Sequence, residues 1–274
     1  MALRGVVQHT QESVVELKNV SFSLDNEPVL ENISMSFPRG KLAAITGPAG
    51  CGKSTLLKLA AGLLCPDSGS VYIEGKQPST LPTKELFQMR KNSAFVFQDA
   101  ALISNLSVFD NIALPLRYHH RFKEAEIVQK VEQMLNSFNL DNERDLLPAH
   151  LSTGQRKLAS FARALIIEPS LIFFDEPIAG IDAIACTRII DRILPLRDDP
   201  GITIIMASHN LDFIKSSADY IALLYRHRLF AYSQRDHILK STDPVLQQIL
   251  SIIVDEEEAV ANEILKILTW RKEG

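Results

Sequence analysis

The sequence is poor in cysteine and has no long apolar run. It contains three cysteines, Cys51, Cys65 and Cys186, among 274 residues. These form neither a disulfide framework nor a zinc-ligand spacing with histidine. We therefore expect reduced thiols in a cytosolic protein. No apolar stretch approaches the ~20 residues that span a bilayer, and residues 1–13 are too polar for a signal peptide. At a membrane, another chain would have to supply the spanning helices.

Neither sign of charge is in large excess. Lysine and arginine total 29 and aspartate and glutamate 33, which gives a net charge of −4. This balance argues against nucleic acid as the main partner. The apolar fraction of 46% is typical of a globular protein and excludes disorder as the dominant state. Internal repeats and low-complexity tracts are also missing.

Short apolar strands alternate with helical patterns along most of the chain. This alternation predicts an α/β protein with a mostly parallel sheet covered by helices on both faces. The predicted strands are 14–22, 29–37, 41–46, 70–74, 94–98, 171–174, 202–206 and 220–225. The predicted helices are 54–64, 155–167, 185–194 and 211–217, with a longer helical stretch at 108–147 and a helical tail from residue 241.

A glycine-rich loop follows the predicted strand at 41–46 and opens a helix. It matches the pattern G-x-x-x-x-G-K-[ST] in the strand–loop–helix setting that this phosphate-binding motif requires. Its residues are Gly47, Pro48, Ala49, Gly50, Cys51, Gly52, Lys53 and Ser54. The glycines let backbone N–H groups surround a phosphate, and the helix N-terminus adds a favourable dipole. The motif predicts that Lys53 reaches the β- and γ-phosphates and that Ser54 ligates Mg²⁺.

Two further segments suit a phosphate site. The apolar strand at 171–174 ends in Asp175 and Glu176, and buried parallel strands deliver such residues to a ligand crevice. Asp175 suits a magnesium contact through water, and Glu176 would lie near an attacking water. Ser152 precedes a helix, where two interpretations stay open: a capping box with Gln155, or an anion site at the helix N-terminus.

The order of these motifs resembles that of the ATP-binding-cassette (ABC) ATPase family. After the phosphate loop come Gln98 at a strand end, the segment Leu151–Gln155, Asp175-Glu176, Asp182, and His209 after a strand. P-loop kinases and GTPases lack the Leu151–Gln155, Gln98 and His209 elements. The resemblance covers residues from about 14 to 235. It implies a P-loop NTPase fold with a RecA-like core, an antiparallel β subdomain and a helical subdomain.

The same resemblance implies a domain plan and a role for each site residue. An ATPase domain would cover 14–240, with a helical insertion at about 99–150, and a C-terminal helical extension would cover 241–274. The expected catalytic residues are Lys53, Gln98, Glu176 and His209. The expected Mg²⁺ ligands are Ser54, Gln98 and Asp175. The expected nucleotide contacts are Gly47 through Thr55, together with Ser152, Gly154, Gln155 and Asp182. In this family, two subunits sandwich two ATP molecules, and Asp182 would lie at their contact.

Two departures from the family pattern concern catalysis and base selection. The segment Leu151–Gln155 corresponds to the family's signature segment. Thr153 stands where that segment usually has its first glycine, although Ser152 and Gly154 are retained. Leu24 falls where an aromatic residue usually stacks on adenine, with Phe22 nearby. We therefore expect a lower rate from the first departure and weaker selection of the base from the second.

The segment from Ala100 to Arg117 indicates a subgroup. Its Val-Phe-Asp-Asn and Pro-Leu-Arg stretches resemble the ATPase of Mla-type (Mce-associated) phospholipid transporters. This implies a peripheral subunit on the cytoplasmic side of the bacterial inner membrane. Its partners would be a second copy of itself, an integral-membrane permease gripped by 101–117, a small regulatory subunit and a Mce-type substrate-binding protein. The alternatives are the ATPase of another transporter, for a solute or a lipoprotein, and a non-transport ABC ATPase that acts as a mechanical switch in cell division.

The C-terminal tail carries apolar residues at helical spacing on both sides of the acidic cluster Asp255–Glu258. Two amphipathic helices, at 245–254 and 260–268, must bury their apolar faces. Two outcomes stay open: the helices contact another subunit, or they fold back on their own ATPase domain.

Overall fold

The computed structural model describes residues 12–118 and 122–256, which form two compact units. The first unit holds residues 12–79 and 207–256, and the second holds residues 80–118 and 122–206. The second predicted tail helix lies outside the described residues.

Strands and helices alternate through most of the described chain. The strands are β1 (Ser13–Leu24), β2 (Glu27–Pro38), β3 (Leu42–Thr46), β4 (Ser68–Ile73), β5 (Ser93–Val96), β6 (Leu171–Asp175), β7 (Thr203–Ala207), β8 (Tyr220–Tyr225) and β9 (Arg228–Gln234). The helices are α1 (Lys53–Ala60), α2 (Thr83–Lys91), α3 (Val108–Tyr118), α4 (Glu124–Phe138), α5 (Thr153–Leu165), α6 (Ala183–Asp198), α7 (Leu211–Ser217) and α8 (Arg235–Leu239). A further helix covers 244–256.

The first unit contains an antiparallel sheet in the order β2-β1-β4. Its β1–β2 hairpin turns at Asp25 and Asn26, whose φ angles of 51° and 66° are those of a type I′ turn. The same unit pairs β3 with β8 in parallel and β8 with β9 in antiparallel fashion. Every residue of β3 is buried, as expected for a strand covered on both faces. The phosphate loop follows that strand directly.

The second unit combines parallel strands with helices. Strands β5 and β6 are parallel neighbours, and β7 follows β6 in the sheet order. Helix α3 packs against both α4 and α5. The apolar residues at helical spacing in α4 are predicted to form one face, and four of the five are buried: Ile127, Val131, Leu135 and Phe138. The fifth, Val128, is 37% exposed, so its place on this face was predicted wrongly. Residues 108–147 do not form one helical stretch, since α4 ends at Phe138 and a 3₁₀ turn follows at Asp141–Glu143.

Three elements were not predicted from the sequence. Helix α2 buries none of its residues, so it shows no apolar face at helical spacing. Strand β9 buries Ala231 alone and forms an antiparallel edge beside β8, which is compatible with the predicted mostly parallel sheet. Helix α8 is five residues long and buries one of them. The predicted end of α1 at Leu64 was also wrong: the helix ends at Ala60, before the left-handed Gly62.

The described part of the tail folds back on its own chain. In the helix at 244–256, Leu246, Ile249 and Ile253 are each 1% exposed. The side chain of Asp243 accepts hydrogen bonds from the N–H groups of Val245 and Leu246 at 2.9 and 3.0 Å and so starts this helix. None of the helices in residues 12–118 and 122–256 has the length and apolar character needed to cross a membrane.

Candidate nucleotide site

The phosphate loop between β3 and α1 has a backbone that only glycine suits at two positions. Gly47 has a φ of 152°, and a Cβ added there would lie 2.2 Å from the carbonyl oxygen of Leu224. Gly52 has a φ of 99° and is the N-cap of α1. A side chain at either position would push the loop out of shape. The loop leads directly into the N-terminus of α1, with Ser54 and Thr55 in the first turn of that helix.

The Lys53 side chain is bonded to the backbone of its own loop. Its ammonium donates hydrogen bonds to the carbonyl oxygens of Gly47 and Pro48, at 2.8 and 3.0 Å. Cys51 lies buried beneath the loop, and burial raises the pKa of its thiol, so this cysteine remains neutral at physiological pH. The side chain expected to reach the phosphates is thus already at the loop.

A carboxylate from the C-terminal helix lies against the same loop. Oε2 of Glu256 accepts a hydrogen bond from the backbone N–H of Ala49 at 2.9 Å. Loops of successive backbone N–H groups at a helix N-terminus bind anions in this way. The contact therefore shows that at least one N–H group of the loop is available to an anionic oxygen.

His209 enters the first unit beside the strand that leads into the loop. The N–H of its neighbour Ser208 donates to the carbonyl oxygen of Ile45 in β3 at 3.0 Å, two residues before Gly47. On the other side, Oδ1 of Asn210 accepts from the N–H of Phe213 at 2.7 Å and caps α7. The backbone on both sides of His209 is therefore fixed near the end of β3.

In the second unit, Gln98 and the two acids leave parallel strands at one edge. Val96 of β5 is paired with Phe174 of β6. Gln98 and Glu176 lie two residues beyond this pair, so both follow the ends of neighbouring strands. Asp175 is 2% and Glu176 7% exposed. Glu176 also has a left-handed φ of 47°, a strained conformation typical of functional positions.

Sequence reasoning missed Lys157, a buried cation in α5. The ammonium donates to the carbonyl oxygens of Gln98 at 2.7 Å and Phe97 at 3.4 Å. Burial lowers its pKa, while Asp175, Glu176 and Asp99 act in the opposite direction. A charged residue on the mostly apolar, buried side of α5 was the signal in the sequence that could have identified it.

The capping interpretation of the signature segment is confirmed. Oγ of Ser152 accepts from the N–H of Gln155 at 3.2 Å, and Oε1 of Gln155 accepts from the N–H of Ser152 at 2.8 Å. Gln155 is also held by Glu143, whose carboxylate accepts from its amide at 2.8 Å. The exposed Ser152 hydroxyl lies at the N-terminus of α5, so the anion-binding interpretation stays a prediction alongside the cap.

Gly154 lies against the start of α6. An added Cβ there would be 2.7 Å from Cβ of Ala185 and 2.9 Å from Oδ2 of Asp182. Asp182 is the N-cap of α6, and its Oδ1 accepts from the N–H groups of Ile184 and Ala185. The second signature glycine and the predicted dimer-contact aspartate are therefore packed together within one chain.

A cleft of about 330 Å³ brings several predicted segments of the second unit together. Its walls include Gln98, Thr153, Lys157 and Gly180. They come from the loop after β5, the start of α5, and the loop that follows Glu176. The segments implied by the ABC resemblance thus converge within this unit.

The predicted magnesium ligands fit the ion by their chemistry. Ser54 in the first unit offers a hydroxyl, and Gln98 and Asp175 in the second offer an amide and a carboxylate. Oxygen ligands of these types are those that Mg²⁺ takes, usually with several waters retained. A carboxylate as buried as Asp175 also requires hydrogen bonds or a cation nearby.

Comparisons with known proteins identify the family of this chain. The model of the ABC transporter family matches residues 30–179. The chain is 34% identical over 249 residues to the intermembrane phospholipid transport system ATP-binding protein MlaF of Escherichia coli K12, covering 91% of this chain and 93% of that protein. It is 33% identical over 237 residues to the probable ribonucleotide transport ATP-binding protein mkl of Mycobacterium leprae, covering 86% and 68% respectively. The bacterial ABC transporter cassette MJ0796, in a dimeric structure, superposes with a TM-score of 0.74 at 28% identity, covering 80% of this chain and 98% of that one.

The fold and the phosphate loop define a P-loop NTPase of the α/β class, with an antiparallel β sheet and a helical region added to the nucleotide-binding core. The chain belongs to the ABC transporter family. It is an ATP-binding cassette, and its reaction is the hydrolysis of ATP.

The end of β1 predicts loose selection of the nucleotide base. Leu24 is 61% exposed, and Phe22 is half-buried. Without an aromatic ring at Leu24, the base loses about 1–3 kcal/mol of stacking. GTP should therefore compete within about tenfold of ATP, since 1.4 kcal/mol is a factor of ten. Competition of both nucleotides against a fluorescent ATP analogue measures this ratio.

The matched variants for this prediction are Leu24→Tyr and Leu63→Tyr. Leu63 is also an exposed leucine of the first unit, at 42%. The first variant should strengthen the preference for ATP, and the second should leave it unchanged. A strong ATP preference in the unaltered chain would mean that Phe22 or another ring stacks on the base.

Proposed function

We propose that this ATPase energises a transporter of phospholipid at the bacterial inner membrane. The observation that carries the proposal is the match to E. coli MlaF along nearly the whole of both chains. In this proposal the chain binds the cytoplasmic side of the membrane through a permease. Residues 14–240 would form the ATPase domain, with the insertion at about 99–150, and a C-terminal extension would begin at residue 241.

The roles that we propose for the site residues follow from their motifs. Lys53 binds the phosphates, Glu176 orients and deprotonates the attacking water, and His209 contacts the γ-phosphate. Ser54, Gln98 and Asp175 would hold Mg²⁺, which neutralises charge on the phosphate oxygens. Catalysis by such a site is mostly positioning and electrostatic stabilisation.

A second copy of the chain completes the proposed site. Ser152 and Gly154 of one copy would face the nucleotide on the phosphate loop of the other. The dimeric form of the MJ0796 cassette supports this arrangement. Next to Asp182, Ile184 is 69% exposed, which suits a surface that a second copy covers on binding ATP.

The permease would bind the segment 101–117. Val108 and Phe109 are buried and belong to the core of the unit, whereas Ile103 is 39% exposed and Leu106 partly exposed. Asn111, fully buried, fixes this loop: its amide donates to the carbonyl oxygens of Ile103, Leu106 and Ser107 at 3.0–3.1 Å. A rigid loop with exposed apolar side chains suits a groove that receives a helix.

Substitution of this loop should separate permease binding from folding. Leu106→Arg and Ile103→Arg are each expected to lower the yield of permease co-purified with the chain at least about tenfold, because a buried unpaired charge costs several kcal/mol. The matched control is Val128→Arg, at a residue of α4 that is 37% exposed. All three variants should keep the ATP affinity of the isolated chain. Unchanged complex yield with either loop variant would remove this loop from the proposed interface.

The transported substrate is tested with the chain and its permease together in proteoliposomes. We expect ATP-dependent transfer of a labelled phospholipid, which Glu176→Gln abolishes. Stimulation of the ATPase by ribonucleotides instead would favour the alternative suggested by the similarity to mkl. If no multi-span protein co-purifies from membranes of the native bacterium, a mechanical switch, such as one in cell division, becomes the better proposal.

Two further partners belong to the proposal: a small regulatory subunit and a Mce-type substrate-binding protein. Their genes, together with that of a permease, are expected beside the gene of this chain. Nucleic acid is not among the proposed partners, because the net charge is −4.

A further inference from the structure

Lys157 is a charged residue where charge is costly. It is 2% exposed, and lysines are almost never buried to that degree unless they are paired. The free-energy cost of burying such a cation must be offset by hydrogen bonds and by opposite charges close to it. The groups that surround its ammonium therefore indicate what Lys157 does.

The groups around the Lys157 ammonium lie at the edge of the second unit where β5 and β6 end, beside Gln98, Asp175 and Glu176. Its ammonium donates to the carbonyl oxygens of Phe97 and Gln98 at 3.4 and 2.7 Å. Asp175 and Glu176, which end the neighbouring strand, attract the same ammonium. We call residues 97–101 the Gln98 loop. The Lys157 side chain thus lies between the backbone of this loop and the carboxylates of Asp175 and Glu176.

A second cation of α5 holds the next part of the loop. The guanidinium of Arg163 donates to the carbonyl oxygens of Ala100 and Ala101 at 3.0 and 2.8 Å. These two alanines have left-handed φ angles of 62° and 47°, which are strained for a residue with a side chain and persist only when surrounding contacts hold them. Residues 97–101 are therefore fastened to the helix that begins at the signature segment.

We propose that Lys157 is a positioning residue for ATP hydrolysis. By holding the carbonyl groups of Phe97 and Gln98, it sets where the Gln98 side chain points and makes the Gln98 loop move together with the Ser152–Gly154 end of α5. Lys157 acts through Gln98 and does not touch the nucleotide. This inference rests on the proposed roles of Gln98 and Glu176.

The test compares Lys157→Met with Lys157→Arg in the full-length chain. Methionine keeps most of the length and volume but has no N–H donor, whereas arginine keeps donors and charge. We expect Lys157→Met to lower kcat about tenfold while KM for ATP changes less than about twofold, the pattern of a lost transition-state interaction. Lys157→Arg should recover most of kcat. The thermal midpoint of the methionine variant should fall, because the carbonyl groups and the two acids lose their cation; the expected change in kcat without a change in KM is what separates positioning from a general loss of stability.

The matched control is Lys130→Met. Lys130 is a lysine of the same unit, but its side chain is 35% exposed and pairs with Glu168 at 3.3 Å on the surface. This variant should keep the kcat of the unaltered chain. If Lys157→Met also kept it, the positioning role would be overturned.

A double-mutant cycle with Gln98→Ala decides whether Lys157 acts through Gln98. If it does, adding Lys157→Met to Gln98→Ala lowers kcat no further, because the interaction is already lost. If the double variant instead lowers kcat by the product of the two single effects, Lys157 acts independently of Gln98. That result would overturn the proposal and leave Lys157 a structural residue. If Lys157→Met does not fold, the cycle is run with Lys157→Gln, which keeps a donor but loses the charge.

The same measurements separate failure of this inference from failure of the proposed site. If Glu176→Gln and Gln98→Ala lower turnover but Lys157→Met does not, the site stands and the positioning role is wrong. If Glu176→Gln turns over ATP normally, the site assignment itself is wrong and the positioning role falls with it.

Discussion

Replacement of Glu176 by glutamine should lower steady-state ATP turnover at least about 100-fold, the loss expected when a general base is removed. The amide can still orient a water but cannot accept its proton. ATP binding should persist, because Lys53 and the loop glycines lie in the other unit. Turnover is measured as phosphate release, and binding with a fluorescent ATP analogue.

The arrest of hydrolysis should also trap a closed homodimer in the presence of ATP and Mg²⁺, which mass photometry can detect. The control is Glu168→Gln, because Glu168 has a similar left-handed φ of 53° but a side chain that is 81% exposed. This control should retain turnover. Near-normal turnover in Glu176→Gln would contradict the assignment of Glu176 as the base.

Replacement of Gly154 by alanine should lower both stability and turnover. The added methyl group would lie 2.7 Å from Cβ of Ala185 and 2.9 Å from Oδ2 of Asp182. Overpacking of this kind costs about 1–3 kcal/mol. Relief of the clash would displace the signature segment, so we expect turnover to fall more than about tenfold, since misplacement of about 1 Å can cost 100-fold. Thermal unfolding and phosphate release measure the two effects.

The double variant Gly154→Ala, Ala185→Gly tests the cause of this loss. Removing the methyl group of Ala185 relieves the shorter of the two contacts. We expect partial recovery of both the unfolding midpoint and turnover. Recovery of the midpoint without turnover would mean that Gly154 acts in hydrolysis through another contact. A single variant with unchanged midpoint and turnover would contradict the packing argument.

The parts of the site that form local motifs could be predicted from the sequence. The phosphate loop is an example, because its glycines, Lys53 and Ser54 are consecutive and their pattern specifies the backbone. Asp175 and Glu176 could be predicted because an apolar strand precedes them. The pairing of Val96 with Phe174, which brings Gln98 to the same edge, required the sheet register.

The parts that depend on distant contacts could not be predicted. Lys157 occurs 59 residues after Gln98, and nothing in its local pattern indicates which carbonyl groups it binds. Glu256 occurs 207 residues after Ala49 and belongs to an acidic cluster that reads as a solvated helix start. Helix α2 and strand β9 were missed for a different reason: they bury few residues and so lack a periodic apolar face.

The contact between Glu256 and Ala49 determines how the tail should be shortened in an experiment. A deletion that begins at Asp255 removes this carboxylate from the phosphate loop, so a change in nucleotide affinity would accompany any change in assembly. A deletion that begins at residue 257 leaves the contact in place. Comparison of the two deletions with Glu256→Gln in the full-length chain would separate what the tail does for assembly from what one of its side chains does at the loop.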